Sequence, residues 1–78
     1  MLGETMLRIA NVGGEAALES IRDVLDRLGV DYEHIRSEPD EDNYPQTAYF
    51  YVPEASADEV EKALQELSEE FGFEAEVL

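Results

Sequence analysis

Few residues of this chain have the side chains that acid–base or nucleophilic chemistry requires. His34 is the only histidine, and the 78 residues contain no cysteine. A catalytic dyad or triad needs a nucleophile and an oriented base, and no serine pattern near His34 indicates such a pair. We therefore expect His34 to be a strand residue whose ring is satisfied locally. We predict no catalytic residues and no enzymatic activity.

Carboxylates in residues 38–45 could bind a divalent cation. This segment carries four acidic side chains, and carboxylate oxygens are ligands that Ca²⁺ and Mg²⁺ prefer. The spacing is not that of an EF-hand, because Asn43, Tyr44 and Pro45 provide neither a glycine turn nor a distal glutamate. Without cysteine, a zinc–thiolate site is also excluded. The sequence therefore predicts a solvated loop, with neither a metal nor a cofactor.

Two adjacent glycines mark a third place where chemistry could occur. Gly13 and Gly14 precede a helical pattern, and a helix N-terminus offers free N–H groups to an anion. Acylphosphatases use a similar loop that contains an arginine, whereas residues 11–15 contain an acid and no arginine. The hydrolysis of acyl phosphates is therefore not predicted. Two interpretations remain, a ligand-binding loop or a plain turn.

The charge of the chain excludes several classes of partner. Twenty acidic residues oppose five basic ones, which gives a net charge of −15. Nucleic acids and anionic membranes are bound through clustered lysine and arginine, so neither is an expected partner. The apolar fraction of 44% suits one small folded domain, and without a signal peptide pattern we expect a cytoplasmic protein. The acidity is similar to that of proteins from salt-adapted cells, and ordinary acidic solubility explains it equally well.

Hydrophobic periodicity indicates four strands and two helices. Apolar residues alternate in four stretches, which are residues 6–12, 30–37, 46–52 and 73–77. Between them, a period near 3.6 predicts one helix from Glu15 to Gly29 and another from Ser56 to Gly72. Both glycines are expected to end their helices in the left-handed conformation. Ser56 and Glu59 form a capping-box pattern.

The order of these elements predicts the fold. A β-α-β-β-α-β chain with right-handed crossovers forms a ferredoxin-like α+β sandwich, a four-stranded antiparallel sheet with both helices on one face. In the second strand, Val30, Tyr32 and Ile35 are expected to form one apolar face. Residues 1–5 are expected to be a disordered leader, and residues 6–78 the domain.

The uncovered face of this sheet is the most informative predicted surface. Arg8, Tyr49 and Tyr51 would lie together there, with Glu74 and Glu76 on the edge strand. RNA-recognition domains place stacking aromatic residues similarly, but their basic signature is absent here and the charge is wrong. Tyrosine combines apolar area with a polar tip, which favours a protein-partner surface. A solvated sheet with strand-forming tyrosines is the alternative.

Residues 7–78 resemble the ACT domain, a small ligand-sensing module. The similarity comprises a first strand and turn, Ile21 and Leu25 in the first helix, and residues 29–35. The last run, Gly-Val-Asp-Tyr-Glu-His-Ile, is similar to the family's glycine-aliphatic-Asn/Asp-aliphatic-x-x-aliphatic signature. The family's loop glycine aligns with Ala16, and the adjacent Glu15 would repel an effector's carboxylate.

The resemblance implies a regulatory function. ACT domains pair through their sheets or edge strands, bind amino acids or other small effectors at the interface, and regulate an attached or associated enzyme. The effector contacts implied for this chain are Asn11, Gly13, Gly14 and Ala16, with Val30 and Tyr32 from a partner.

Two hypotheses follow from the sequence. The first is a homodimeric regulatory module that binds an amino acid or a similar small effector. The second is an interaction or assembly domain, natural or engineered, without a small-molecule ligand. In both, Arg8, Tyr49 and Tyr51 are the expected interface residues.

Overall fold

The secondary structure follows the order β-α-β-β-α-β in the computed structural model, which describes residues 3–78. The elements are β1 (Glu4–Val12), α1 (Glu15–Arg27), β2 (Glu33–Glu38), β3 (Gln46–Pro53), α2 (Ala57–Phe71) and β4 (Glu74–Val77). The strands pair antiparallel in the order β2-β3-β1-β4. The predicted ferredoxin-like α+β sandwich is confirmed.

Both helices pack on one face of the sheet. In β3 the residues Ala48, Phe50 and Val52 are fully buried, because alternate side chains of a strand point to the same face. Leu7 and Ile9 of β1 are buried beside them. The helices complete this core with Ala17, Leu18, Ile21, Leu25, Val60 and Leu64. Burial of each large apolar side chain contributes about 1.5–3 kcal/mol, so this layer holds the helices on the sheet.

A Schellman motif ends α1 at the glycine that the sequence indicates. Gly29 has a φ of +71°, and its N–H donates to the carbonyl of Asp26 at 3.1 Å. The N–H of Val30 donates to the carbonyl of Leu25 at 3.1 Å, and both side chains belong to the core. Helix α2 ends at Gly72, whose φ is +78°. The expected left-handed helix ends are therefore confirmed.

The end of α1 also sets the start of β2. Val30 completes the Schellman motif, and the ring of Tyr32 packs edge-on against Phe50 with centroids 5.9 Å apart. Both residues serve the core before the chain joins the sheet. Strand β2 therefore begins at Glu33 rather than at the expected residue 30.

The beginning of β1 corrects the expected leader. The strand starts at Glu4, and Thr5 lies opposite Val52 in the sheet. The hydroxyl of Thr5 donates to the carbonyl of Leu78 at 2.9 Å, although 73 residues separate them. The prediction of a disordered leader is therefore wrong for Glu4 and Thr5. Residues 1 and 2 lie outside the described part of the chain.

The capping box expected at Ser56 and Glu59 does not form. A 3₁₀ turn, Glu54–Ser56, leads into α2, and Ser56 has φ −102° and ψ −3°. A capping serine needs extended backbone to turn its oxygen toward the first-turn N–H groups. Because Ser56 is already in a helical conformation, its side chain makes no capping hydrogen bond.

Candidate functional site

A row of four side chains crosses the sheet on the face opposite the helices. Arg36 of β2 lies opposite Tyr49 of β3, Tyr49 lies opposite Arg8 of β1, and Arg8 lies opposite Glu76 of β4. The Cζ atom of Arg36 is 5.0 Å from the centroid of the Tyr49 ring, within the range of a cation–π interaction. We call these four residues the arginine–tyrosine row, and the surface that carries it the open face.

Hydrogen bonding orients the arginine at the centre of the row. Nη1 of Arg8 donates to Oε1 of Glu76 at 2.9 Å. The pKa of Arg8 is raised, first by the hydrogen bond to Glu76 and then by Tyr49, because both favour the charged guanidinium. Both partners of the ion pair are solvent-exposed, so the pair adds little stability. Its effect is to hold the Arg8 guanidinium beside Glu76 on the neighbouring strand.

A second row on the open face is less charged. Tyr51 of β3 lies opposite Met6 of β1 and Glu33 of β2. The N–H of Leu78 donates to the carbonyl of Met6 at 2.9 Å, and Leu78 itself is exposed. The structure thus brings together Arg8, Tyr49 and Tyr51, the three interface residues predicted from the sequence. It adds Met6 and Leu78 as apolar neighbours.

A β-bulge in β2 places Arg36 on the open face. The register passes from His34 opposite Phe50 to Arg36 opposite Tyr49, so two residues of β2 face one residue of β3. The extra residue, Ile35, is 36% exposed, and the expectation that it joins an apolar strand face is wrong. A period-two pattern cannot show an inserted residue, which is why sequence reasoning missed Arg36.

The bulge also brings His34 and Ser37 to the helix side of the sheet. His34 stacks on Phe50 with centroids 4.7 Å apart, and the pKa of His34 is lowered, first by burial and then by the charge of Arg22. Nη2 of Arg22 lies 3.0 Å from Nδ1 of His34, and Nε2 lies 3.0 Å from Oγ of Ser37. A guanidinium can only donate, so Nδ1 accepts and Nε2 carries the proton that it donates to Ser37.

This tautomer is the reverse of the one that a general base needs. A catalytic histidine presents a free lone pair to the hydroxyl that it activates, whereas Nε2 of His34 presents a proton to Ser37. Ser37 is also only 7% exposed, so a substrate has little access to its hydroxyl. The pair therefore acts as a polar link within the domain, as the sequence predicts for His34.

The His34 network gives a pH-dependent stability. Because the pKa of His34 in the folded protein lies below its ordinary value of 6.5, the unfolded chain binds a proton first as the pH falls. The stability contributed by neutral His34 is therefore complete above about pH 6.5 and is lost at lower pH. We expect the urea midpoint to fall between about pH 7 and about pH 5, relative to the His34→Gln variant.

The His34→Gln variant is the control for the other titrating groups that face His34. Glu41 opposes the shift of the His34 pKa, and Glu15, Glu19 and Asp42 line the same cleft. These carboxylates are present in both proteins, so the difference between the two midpoints isolates His34. Parallel midpoint curves over this pH range would contradict the described burial and tautomer.

The loop between β1 and α1 holds the predicted ligand contacts of this chain. Asn11 has a left-handed φ of 61° at an irregularity of β1, and its side-chain amide donates to the carbonyl of Gly72 at 3.2 Å. Its amide thus ties the loop to the end of α2. Gly13 and Ala16 are exposed, and Gly14 begins α1 without a side-chain cap. The N-terminus of α1 is therefore accessible beside Asn11.

Neither Gly13 nor Gly14 is required by the geometry of this turn. Neither has a left-handed φ, and a Cβ added at either position would meet no atom within 4 Å. Turn geometry and packing within the described chain therefore do not require the two glycines. Gly14 is the N-cap of α1 in extended backbone, a position that favours glycine. The open space around Gly13 would also allow a ligand to approach the backbone closely.

The contacts expected from a partner differ in accessibility. Val30 is only 9% exposed because its side chain completes the core at the end of α1, which leaves little of it for a ligand. Tyr32 is half-buried against Phe50 and keeps part of its ring at the surface. Both lie near the start of β2, at the end of the sheet away from Gly13. The loop contacts and the pair Val30 and Tyr32 therefore cannot meet around one ligand within a single chain.

The acidic loop, residues 38–45, is ordered by its own polar groups. Asp40 accepts hydrogen bonds from the backbone N–H groups of Asp42 and Asn43, both at 2.9 Å, and from the Asn43 side chain. The Asn43 amide is the main cause of the lowered pKa of Asp40. Nε2 of the buried Gln46 donates to the carbonyls of Asp40, Glu41 and Asn43. Within residues 3–78, no three metal-binding side chains cluster closely enough to hold an ion.

A cleft of about 310 Å³ separates this loop from the first turns of α1. Its lining includes the carboxylates of Glu15, Glu19, Glu41 and Asp42 and one guanidinium, that of Arg22. Because Arg22 donates to His34, an anionic effector would meet mainly negative charge there. The cleft is therefore a poor receptor for an amino acid's carboxylate.

Neither helix in residues 3–78 has the length and apolar content that crossing a membrane requires. A scan against protein-family models finds no match for this chain, and searches of curated proteins and of solved structures find no significant match. The function is therefore inferred from the fold and from the open face of the sheet.

Proposed function

We propose that this chain is a protein-interaction module that assembles into a homodimer through the open face. The observation that carries the proposal is the arginine–tyrosine row, with Tyr51 and Met6 beside it on the two central strands. Both helices pack on the other face, so within residues 3–78 no helix covers these side chains.

The chemistry of the open face suits a protein partner. Tyrosine and arginine are enriched at protein interfaces because each combines a flat, contact-rich group with hydrogen-bonding capacity. Arg36 and Arg8 are two of only five basic residues in the chain, and both flank Tyr49. The whole chain has a net charge of −15, so the surface away from these two arginines is repulsive toward further copies.

We expect the protein to have twice the chain mass in light scattering at micromolar concentration and high salt. The Tyr49→Glu variant should be monomeric under the same conditions, because it places a carboxylate in the centre of the interface. Gln65→Glu is the matched control, since it adds the same charge on an exposed position of α2. A monomeric parent protein, or a dimer that Tyr49→Glu leaves intact, would refute the proposal.

A second candidate function is the sensing of a small effector, which the resemblance to ACT domains suggests. The specific observation in its favour is the pair Gly13 and Gly14, which turn geometry and packing do not require. The module would then regulate an enzyme attached to it or bound by it. In a dimer that joins opposite ends of the two sheets, an effector near Asn11 and Ala16 would also contact Tyr32 of the partner subunit.

A thermal-shift screen against amino acids and nucleotides tests the second candidate. A ligand that binds only the folded protein raises the melting temperature by mass action. The Gly13→Val variant is the sharpest control, because open space surrounds that position and the fold should tolerate the side chain. A true loop ligand shifts the melting temperature of the parent protein and not that of the variant. If no compound shifts the melting temperature of the parent protein, the effector-sensing hypothesis is rejected.

A further inference from the structure

The arginine–tyrosine row has a polarity that runs across the sheet. From β2 to β4 it presents a cation, an aromatic ring, a second cation and a carboxylate, in the order Arg36, Tyr49, Arg8 and Glu76. Two copies of the row that face each other in opposite order are complementary in charge. A cation at one end would meet the carboxylate of the other end, and the aromatic ring would meet the inner cation.

We propose that two copies of this chain pack open face to open face about a two-fold axis that is parallel to the strands and lies between β1 and β3. Rotation about this axis keeps each row at its height along the strands and reverses its order across the sheet. The inference rests on the proposed function, and it adds the geometry and the pairs of contacting residues.

In this arrangement the charges of the row are neutralised across the interface. Arg36 faces the partner's Glu76 at both outer ends, and Tyr49 faces the partner's Arg8 at both inner positions. The two central contacts are cation–π pairs, which gain strength when water is excluded. Because the packing is isologous, each of these two pairs occurs twice, and every side chain of the row has a partner across the interface.

On the two central strands, the second row is also compatible with this axis. Met6 and Tyr51 face Tyr51 and Met6 of the partner subunit, which places thioether against aromatic ring in the middle of the interface. Face-to-face sheets pack about 10 Å apart with their strands nearly aligned, a distance that side chains of this size fill. The central strands therefore place Met6, both tyrosines and the Arg8 guanidinium at the centre of the interface, and the edge strands provide a charged rim.

A two-fold axis that crosses the strands through the row would be unfavourable. It would keep the order of the row and set Arg8 against Arg8 of the partner subunit, and Arg36 likewise against its copy. Like charges that face each other at an interface cost affinity and exclude wrong arrangements. The order of charges in the row therefore selects the parallel axis.

One end of the open face opposes the dimer at low salt. Glu38 lies opposite Thr47, and Glu74 lies opposite Ala10, so both acids stand at the same end of the strands. About the parallel axis, Glu38 approaches the partner's Glu74. Salt screens this repulsion, since the Debye length is about 3 Å at molar salt. It also screens the Arg36–Glu76 contacts, but each copy carries a net charge of −15, so the sum of the screened interactions is repulsive. The dimer should therefore be tighter in concentrated salt than in dilute buffer.

Mixing two charge-reversed variants tests the arrangement. Arg36→Glu sets carboxylate against the partner's Glu76, and Glu76→Arg sets guanidinium against the partner's Arg36. Each variant alone should dimerise at least about tenfold more weakly than the parent protein, because like charges then meet at both ends of the row. An equimolar mixture should recover dimers with an affinity within about threefold of the parent, because every end pair is again of opposite charge.

A mixture of Arg36→Glu with Glu69→Arg is the control. In both mixtures only the heterodimer is scored, by its mass in native mass spectrometry, because Glu69→Arg keeps the row and forms its own homodimer. Glu69 is exposed on α2, far from the row, so this mixture matches the net charge without restoring the contact. Recovery only with Glu76→Arg supports the parallel axis, and it also shows that both variants are folded. If Tyr49→Glu abolishes the dimer but the mixture does not recover, this arrangement is overturned and the proposed function stands. A parent protein that is monomeric overturns both.

Discussion

We expect the Phe50→Ala variant to lose about 3–5 kcal/mol of its free energy of unfolding. Phe50 has no solvent exposure, lies at the centre of β3, and contacts His34 by stacking and Tyr32 edge-on. Its removal leaves a cavity beside these two rings. At about 0.05–0.15 kcal/mol per residue, a domain of this size has roughly 4–12 kcal/mol in total, so the variant should be partly or wholly unfolded.

Urea denaturation followed by circular dichroism measures this loss. Phe50→Leu is the matched control, because it keeps most of the buried volume and should cost much less than the alanine variant. The difference between the two variants reports the cavity around Phe50. An alanine variant that loses less than about 1.5 kcal/mol would show that the core is not closed around this ring.

Concentrated KCl should stabilise the folded domain. Glu15, Glu19 and Asp23 follow one another at intervals of four residues on α1, as do Glu66 and Glu70 on α2. Like charges at this spacing destabilise a helix by about 0.2–0.5 kcal/mol per pair. Screening removes this cost, so the urea midpoint should rise between about 0.05 M and about 2 M KCl, a gain of about 1 kcal/mol from these pairs alone.

The double variant Glu19→Gln, Glu66→Gln separates screening from other effects of salt. It removes all three like-charge pairs, so it should be more stable than the parent protein in dilute buffer and gain less from KCl. A general strengthening of apolar burial would raise both midpoints equally. A rising parent midpoint supports adaptation to concentrated salt. An unchanged or lower midpoint would show that the acidic residues are already well placed.

The sequence predicts the layers of this fold because each layer depends on local periodicity. Strict alternation in β3 and the 3.6-residue period of both helices follow directly from one buried face per element. Gly29 and Gly72 are equally predictable, since a left-handed residue at the end of a helix favours glycine over other types.

The structure differs from the sequence-based prediction where the chain departs from a fixed hydrophobic period. Ile35 is an inserted residue, and it changes which face Arg36, His34 and Ser37 occupy. Val30 continues the apolar pattern of β2 in the sequence. In the structure its N–H completes the Schellman motif at the end of α1, and its side chain packs in the core. The sequence therefore predicts the central residues of the open face, Arg8, Tyr49 and Tyr51, but not the arginine that completes the row.

The hydrogen bond from Thr5 to the carbonyl of Leu78 joins residues at opposite ends of the described chain. The start of β1 therefore lies beside the end of β4, at one end of the sheet. A domain whose entry and exit lie this close can be inserted into a surface loop of another protein without spreading the ends of that loop. In such a fusion the open face would still be available to a second copy. The architecture thus suits insertion as a domain into other proteins, or circular permutation in which a short glycine linker joins the two ends.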